Sequence, residues 1–265
     1  MIEVVRLDPT GNLTCLVTRK TEGEDEAAIT RELMKECEQV AYLEKPARQD
    51  SRARIRLMGG EFCGNATMAG ACFLAREDGL TTGKERTMQL EVSGAAGPLV
   101  CRVRRTGENE FEGTVPMPSM ESIQQIQEGR YILTAVKMEG ITHFILENAP
   151  LLDREEAEGL LRGLAEEMKD DAMGLLQWNR KIGYMTPLVF VPGSETLVWE
   201  TGCGSGSAAV GIREAMRRGD GTTEVNVRQP GGVIRVSVEV RQGWPERIRI
   251  TGRVRIGEVQ ERKIG

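Results

Sequence analysis

Two Cys-Gly pairs stand out among the residues that could do chemistry. Cys63-Gly64 and Cys203-Gly204 each precede a run of small residues that predicts a helix, so each cysteine stands at a helix start. The first N–H groups of a helix have no partner within it, and with the helix dipole they place partial positive charge there. That environment should lower the pKa of both thiols and favour thiolates.

The same helix starts are expected to bind a carboxylate. Gly64 and Gly204 have no side chain in the way of a ligand approaching the backbone, and Asn65 and Ser205 add further donors. An α-amino acid held there would place its Cα–H between two sulfur atoms, if the two helix starts face each other. One thiolate would remove the proton and the opposite thiol would deliver one, which inverts the carbon without a cofactor.

Internal similarity supports treating the cysteines as a pair. Four pairs of similar segments follow one another in the same order, 129 to 140 residues apart. In chain order they are 11–17 with 140–146, 62–69 with 202–209, 90–97 with 225–232 and 111–115 with 250–254. This order predicts a duplication with lobes at about 1–120 and 128–265, joined by the polar stretch Glu121–Arg130, although the last strand could cross back.

The elements that must position the turns are mostly strands. Apolar patterns predict helices at about 24–37, 64–77, 153–168 and 204–217. β-Branched runs predict strands at 2–7, 13–19, 52–58, 88–93, 98–105, 134–138, 142–147, 184–191, 195–200, 223–228, 233–241 and 247–253. Many of these strands follow one another through short glycine turns, which favours antiparallel meanders. Helices 64–77 and 204–217 are apolar on nearly all sides and are therefore expected inside. The fold class predicted is α+β, with two repeated lobes, each a mostly antiparallel sheet around a central helix, and an active site between them.

The composition limits the kinds of partner that this chain is expected to bind. The 265 residues carry a formal net charge of −5, and one histidine and no CxxC pair occur among them. Nucleic acid and anionic membranes are therefore not expected as partners, and neither is a zinc site or a disulfide framework. The N-terminus lacks a secretion signal and no apolar run could span a bilayer. We therefore expect a cytoplasmic enzyme whose substrate is a small molecule.

The motifs resemble the diaminopimelate epimerase superfamily, which includes cofactor-independent amino-acid racemases. Gly11-Asn12 and Glu38-Gln39-Val40 are similar to its substrate-binding elements, and the two Cys-Gly turns are similar to its catalytic turns. The resemblance implies that Cys63 and Cys203 are catalytic. Together with the helix-start residues, it implies substrate contacts at Asn12, Gln39, Gly64, Asn65, Gly204 and Ser205, and it implies a homodimer.

Departures from that pattern indicate a different substrate. The first turn continues as Ala66-Thr-Met-Ala69, and Ile141-Thr-His143 replaces an asparagine-proline-histidine. The runs around Cys63 and Cys203 look more like the histidine racemases that supply D-histidine for opine-type metallophores. His143 then becomes a candidate residue at the pocket rim, whereas the roles of Glu61, Glu200 and Thr201 stay open.

Other functions remain as alternatives. Diaminopimelate or another amino acid could be the substrate. Gly204-Ser-Gly-Ser-Ala-Ala209 fits a dinucleotide-binding fingerprint with Glu224 as its acid, but alternating βα units do not surround it. A phenazine-pathway isomerase would not need cysteine in both turns. A thiol redox sensor or ligand-binding module would keep the thiols without turnover.

Overall fold

The computed structural model describes residues 1–264, and the chain divides into two units. Unit 1 contains Met1–Pro116 together with the residues from Thr251 onward, and unit 2 contains Met117–Ile250. The division follows from the last strand, β16 (Trp244–Arg262), which begins in unit 2 and pairs with the first strand of unit 1 from Val254 to Arg262.

Unit 1 is a closed sheet with two helices. Its strands are ordered β1 to β7 and then β16, which also pairs with β1 and so closes the ring. Its elements are β1 (Ile2–Pro9), β2 (Thr14–Lys20), α1 (Glu26–Leu33), β3 (Gln39–Glu44), β4 (Ala53–Leu57), α2 (Gly64–Glu77), β5 (Glu85–Val92), β6 (Leu99–Arg105) and β7 (Glu110–Pro116).

Unit 2 repeats the plan. Its strands are ordered β8-β9-β10-β11-β12-β14-β15-β16, with β13 paired to β12 beside this path. The elements are β8 (Met120–Glu128), β9 (Tyr131–Met138), β10 (Ile141–Glu147), α3 (Arg154–Met168), β11 (Met173–Asn179), β12 (Tyr184–Val191), β13 (Thr196–Trp199), α4 (Gly204–Arg218), β14 (Gly221–Gln229) and β15 (Gly232–Arg241).

The two units share one connectivity, which confirms the predicted repeat. Strands joined by short turns pair antiparallel, whereas strands joined through a helix pair parallel, as in β2–α1–β3 and β10–α3–β11. Likewise, β4 and β5 flank α2 as a parallel pair, and β12 and β14 flank α4. The mostly antiparallel pairing is inconsistent with the doubly wound sheet of a dinucleotide-binding enzyme.

Each unit has an outer helix and an inner helix. The outer helices pack one apolar face on the sheet, as Ile29 and Leu33 of α1 do. The inner helices are buried on nearly all sides, as predicted, and α2 packs against β1, β2, β4, β5, β6 and β7. Close approach requires glycine: a Cβ added at Gly113 of β7 would lie 2.4 Å from Met68 Cγ of α2.

Some predictions of elements were wrong. The stretch Glu121–Arg130 is not a linker, since most of it forms β8, whose polar side chains face solvent while its backbone pairs with β9. Strand β11 was not predicted. Its residues are buried in an unbroken run, so they lack the alternation of apolar and polar residues that identifies a strand. Strands β3 and β7 were also missed.

The described residues contain neither a membrane-spanning helix nor a cluster of metal ligands. None of the helices within residues 1–264 combines the length and the apolar character needed to cross a membrane. Across the same residues, no group of three His, Cys, Asp or Glu side chains is arranged to hold a metal ion.

Candidate active site

Cys63 caps the inner helix of unit 1. Its backbone is extended (φ −136°, ψ 115°), and its sulfur accepts the N–H of Ala66 at 3.5 Å. Its carbonyl oxygen accepts the Thr67 hydroxyl at 2.7 Å, which fixes the first turn of α2. The Cys63 side chain is half-buried, so its sulfur lies at a helix N-terminus within reach of a ligand.

Cys203 has the same place in unit 2. It caps α4 with an extended backbone (φ −108°, ψ 109°), and its sulfur accepts the N–H of Gly206 at 3.2 Å. Its carbonyl oxygen accepts the Ser207 hydroxyl at 2.6 Å, which corresponds to the Thr67 bond in unit 1. Unlike Cys63, this residue is buried, with 3% of its surface exposed.

Cysteine is an unusual choice for these caps. The outer helices begin with Asp25 and Asp153, whose carboxylates accept backbone N–H groups at 2.9 Å. Asp, Asn, Ser and Thr are the side chains that stabilise helix starts best, and the thiol contacts are longer and weaker. The inner helices therefore forgo cap stability at the two positions where a thiol is present, which suggests selection for reactivity.

The pKa of Cys203 departs from the sequence-based expectation. Burial raises the pKa of the Cys203 thiol well above its ordinary value, and the charge and hydrogen bond of Glu200 raise it further. The hydrogen bonds from Ser205 and Gly206 lower this pKa but do not compensate. The prediction that the helix start would lower the pKa was wrong for Cys203, because desolvation of the thiolate outweighs the helix N-terminus.

A turn after β5 supports the Cys63 loop. The hydroxyl of Ser93 donates to the carbonyl oxygen of Glu61 at 2.8 Å and accepts the N–H of Leu57 at 2.9 Å. Gly94 follows with φ +69°, and a Cβ there would lie 2.4 Å from the Phe62 nitrogen. The loop that delivers Cys63 is therefore packed directly on this turn.

The equivalent turn of unit 2 supports Cys203. The side-chain oxygen of Gln229 accepts the N–H of Cys203 at 2.6 Å, and its amide nitrogen donates to the Ser207 hydroxyl at 2.8 Å. Nearby, Gly231 donates its N–H to the Thr201 carbonyl oxygen at 2.7 Å. No role was predicted from the sequence for Ser93 or Gln229. The sequence feature that could have identified them is the third pair of repeated segments, 90–97 and 225–232, which contains both turns.

Two predicted substrate contacts form one cluster in unit 1. The Gln39 amide nitrogen donates to the Asn12 side-chain oxygen at 2.5 Å and to the Thr14 hydroxyl at 2.7 Å. Asn12 in turn donates to a Glu38 carboxylate oxygen at 3.0 Å. Both amides are buried, at 6% and 8% exposed. Asn12 and Gln39 are thus held rigidly by each other, with Glu38 as the charged member of the cluster.

His143 lies beneath Ser205 in unit 2. Its Nε2 is 2.9 Å from the Ser205 hydroxyl, which is itself 3.6 Å from the Cys203 sulfur. The ring is fully buried, at 0% exposed, where sequence analysis expected a pocket rim. Burial lowers the pKa of His143 to about 3, so the imidazole is neutral at ordinary pH.

The remaining candidates lie around the two caps. Gly64, Asn65 and Gly204 are buried in the first turns of α2 and α4, and Ser205 is half-buried. Glu200 is half-buried and hydrogen-bonded to the Cys203 thiol. Glu61 is exposed, and its carboxylate lies over Gly59.

The other cysteines are part of the core. Cys72 is 0% exposed within α2, and burial raises its pKa well above the ordinary value. Burial also raises the pKa of Cys101 to about 12. Cys15 and Cys37 hydrogen-bond to each other, which raises the pKa of Cys15. Each of these thiols is buried and lies away from a helix N-terminus.

The amino-acid sequence is similar to known proteins over most of its length. The family described as the histidine racemase CntK N-terminal domain matches residues 1–259. A histidine racemase of Staphylococcus aureus is 28% identical, and the alignment covers 89% of this chain and 88% of the relative.

Similar solved structures support the fold. They include a phenazine biosynthesis protein of the PhzF family from Bacillus anthracis, with TM-score 0.70 and 16% identity over 99% of both chains. A probable proline racemase from Agrobacterium radiobacter also has TM-score 0.70, with 15% identity over 100% of this chain and 94% of that one.

Proposed function

The chain belongs to the histidine racemase CntK N-terminal domain family, and from this premise we propose that it racemises free histidine with Cys63 and Cys203 as its two acid–base groups and without a cofactor. One observation carries the assignment. Each cysteine caps the buried inner helix of its unit, at the same point of a repeated connectivity, where an aspartate caps each outer helix.

The proposed reaction exchanges protons at one carbon. A thiolate takes the proton from Cα, so that the Cα–H bond breaks and an S–H bond forms. The opposite thiol gives its proton to the other face of the carbanion, and its S–H electron pair stays on sulfur. The backbone N–H groups at the starts of α2 and α4, near Gly64 and Gly204, would bind the carboxylate and stabilise the developing charge.

The burial of the two cysteines differs and suggests their resting states. Cys203 is 3% exposed beside the Glu200 carboxylate, which favours the neutral thiol and hence the proton donor. Cys63 is half-buried at a helix N-terminus, which suits the proton acceptor. The roles exchange for the opposite enantiomer, as a reversible reaction requires.

Side chains of both units are proposed to bind the substrate. Asn65 and Ser205 lie in the first turns of the inner helices, one position after the cap glycines. Asn12 and Gln39 form the rigid amide cluster with Glu38, whose carboxylate supplies one negative charge. A carboxylate of this kind suits the ammonium group or the imidazole of histidine.

A panel of single L-amino acids in deuterated water tests the proposal. We expect deuterium at Cα and the appearance of the D-enantiomer, with histidine the fastest substrate and no change on adding a chelator or pyridoxal phosphate. Faster deuterium exchange with another amino acid, such as diaminopimelate, would show that histidine is not the preferred substrate, while the proposed racemisation mechanism would stand. Absence of exchange with every amino acid would reject the racemase.

Two further expectations concern the enzyme in the cell. We expect it to act in the cytoplasm, where free amino acids are available, and to form a homodimer, as the resemblance implies. Size-exclusion chromatography with light scattering decides the second, since a mass near 29.3 kDa would show a monomer.

A further inference from the structure

Three side chains of unit 2 form a chain of polar contacts that ends on the Cys203 sulfur. His143 Nε2 is 2.9 Å from the Ser205 hydroxyl oxygen, and that oxygen is 3.6 Å from Cys203 Sγ. The histidine comes from β10 and the other two residues from the start of α4. The contact thus joins a sheet strand to the catalytic turn across 62 positions of sequence.

The imidazole is confined to this contact. It is 0% exposed, and a Cβ added at Gly174 on the neighbouring strand β11 would lie 2.3 Å from its Nδ1. Among residues 1–264, Nδ1 has no hydrogen-bond partner. The ring therefore fills the space that Gly174 leaves, and Ser205 is its polar neighbour.

This environment favours one tautomer. A buried N–H without an acceptor costs more than a buried lone pair without a donor, so the hydrogen belongs on Nε2 and the bare lone pair on Nδ1. Nε2–H then donates to the Ser205 oxygen, and the Ser205 hydroxyl hydrogen is directed at the Cys203 sulfur. A hydrogen bond given to sulfur stabilises its thiolate form, which opposes the effects of burial and of Glu200.

We propose that His143 is a positioning residue that acts on Cys203 through Ser205. It holds the serine hydroxyl in the orientation that stabilises the Cys203 thiolate after its proton has left. This inference rests on the proposed two-thiol racemisation and deepens it, since it assigns the groups that stabilise the thiolate form of the buried Cys203 sulfur. His143 does not touch the substrate, because its ring has no exposed surface.

A set of variants separates this role from mere packing. Ser205→Ala removes the link, His143→Leu removes the donor, and His143→Gln keeps an N–H donor near the Nε2 position. Thr142→Val is the matched control, because Thr142 is also buried and hydrogen-bonded on β10 but bonds to Asp170. Ser205 is half-buried and its replacement by alanine is conservative. Ser205→Ala is therefore expected to fold and to test the proposal even if His143→Leu does not fold.

Two measurements are made on the folded proteins. The first is kcat/KM for Cα deuterium exchange of histidine. The second is the pH dependence of Cys203 labelling by iodoacetamide, resolved by peptide mass spectrometry, which needs no substrate. Ser205→Ala and His143→Leu should each lower kcat/KM about 10-fold and raise the apparent pKa of Cys203 by about one unit. The double variant should be no worse than Ser205→Ala, and His143→Gln should recover most of the activity.

Several results would overturn the role. Additive losses in the double variant would show that His143 does not act through Ser205. Equal damage in His143→Gln and His143→Leu would point to packing, as would a Thr142→Val variant that shifts the Cys203 labelling profile equally. If Cys203→Ser is inactive while the Ser205 and His143 variants are unaffected, this inference fails alone. If the wild type exchanges no amino acid, the proposed function fails and the labelling profiles still decide the positioning role.

Discussion

The side-chain oxygen of Gln229 accepts the backbone N–H of Cys203 at 2.6 Å, and the Gln229 amide donates to the Ser207 hydroxyl. All three groups are buried, so the glutamine holds the cap residue and the first turn of α4 together. The turn that contains Cys203 thus depends on a residue that is not part of it.

Replacing Gln229 should therefore damage both stability and turnover. Gln229→Met keeps the shape but leaves the Cys203 N–H and the Ser207 hydroxyl with fewer partners, at a cost of about 1–3 kcal/mol in unfolding free energy. We expect kcat to fall as well, because Cys203 loses its fixed position. Urea unfolding and deuterium exchange measure the two effects. The same change at the exposed Gln124 is the control, and equal behaviour of both variants would refute the support by Gln229.

Replacing each of the two thiols proposed to be catalytic gives the most direct test of the mechanism. Cys63→Ser and Cys203→Ser should each lower the racemisation rate by at least about 100-fold, because a hydroxyl is too weak an acid and its alkoxide too unstable to replace a thiol. Cys72→Ser makes the same atomic change in the core and should reduce stability while the turnover per folded molecule stays the same. Chiral chromatography of the product gives the rates. Full racemase activity in either of the first two variants would disprove the two-thiol scheme.

The effect of the Glu200 carboxylate on the Cys203 thiol should be measurable. Glu200 raises the pKa of Cys203 by its charge and its hydrogen bond, so Glu200→Gln should lower that pKa and increase the thiolate fraction at pH 8. Faster iodoacetamide labelling of Cys203 is the expected result, about threefold or more. Glu195→Gln, at an exposed position nearby in sequence, is the control. Labelling that is unchanged or slower in Glu200→Gln would contradict the assigned interaction.

His143 makes folding stability pH-dependent below neutrality. Burial lowers its pKa in the folded state to about 3, whereas the unfolded chain has the ordinary value near 6.5. The unfolded state therefore binds the proton first, and stability that is fully present above pH 6.5 is lost as the pH falls toward 3. Between pH 7 and pH 5 the loss should be about 2 kcal/mol.

Because His143 is the only histidine in the sequence, both measurements are simple. In the folded protein, its ring resonances should not titrate between pH 8 and pH 5. Urea unfolding of His143→Gln should show a weaker pH dependence than the wild type over the same window. A resonance that titrates with a midpoint near 6.5 would show that the ring is accessible to protons.

Much of the site follows from short sequence patterns. A cap residue and the helix that it starts lie within a few positions of each other, so Cys63 and Cys203 could be located from the small residues that follow them. The repeat could be recognised because each half conserves the order of its turns. The buried inner helices could be predicted because residues apolar on all faces have no other stable place.

Tertiary structure decided what depends on neighbours distant in the chain. The raised pKa of Cys203 comes from burial, which a local pattern does not contain and which reversed the effect expected from the helix start. The partners of Cys203 and Ser205, Gln229 and His143, lie 26 and 62 positions away from them. Strand β8 looked like a polar linker because an edge strand needs only backbone pairing on one side, and its side chains show no apolar alternation. The local sequence thus predicts which two thiols are candidates for proton exchange, whereas packing decides how readily the Cys203 thiol gives up its proton.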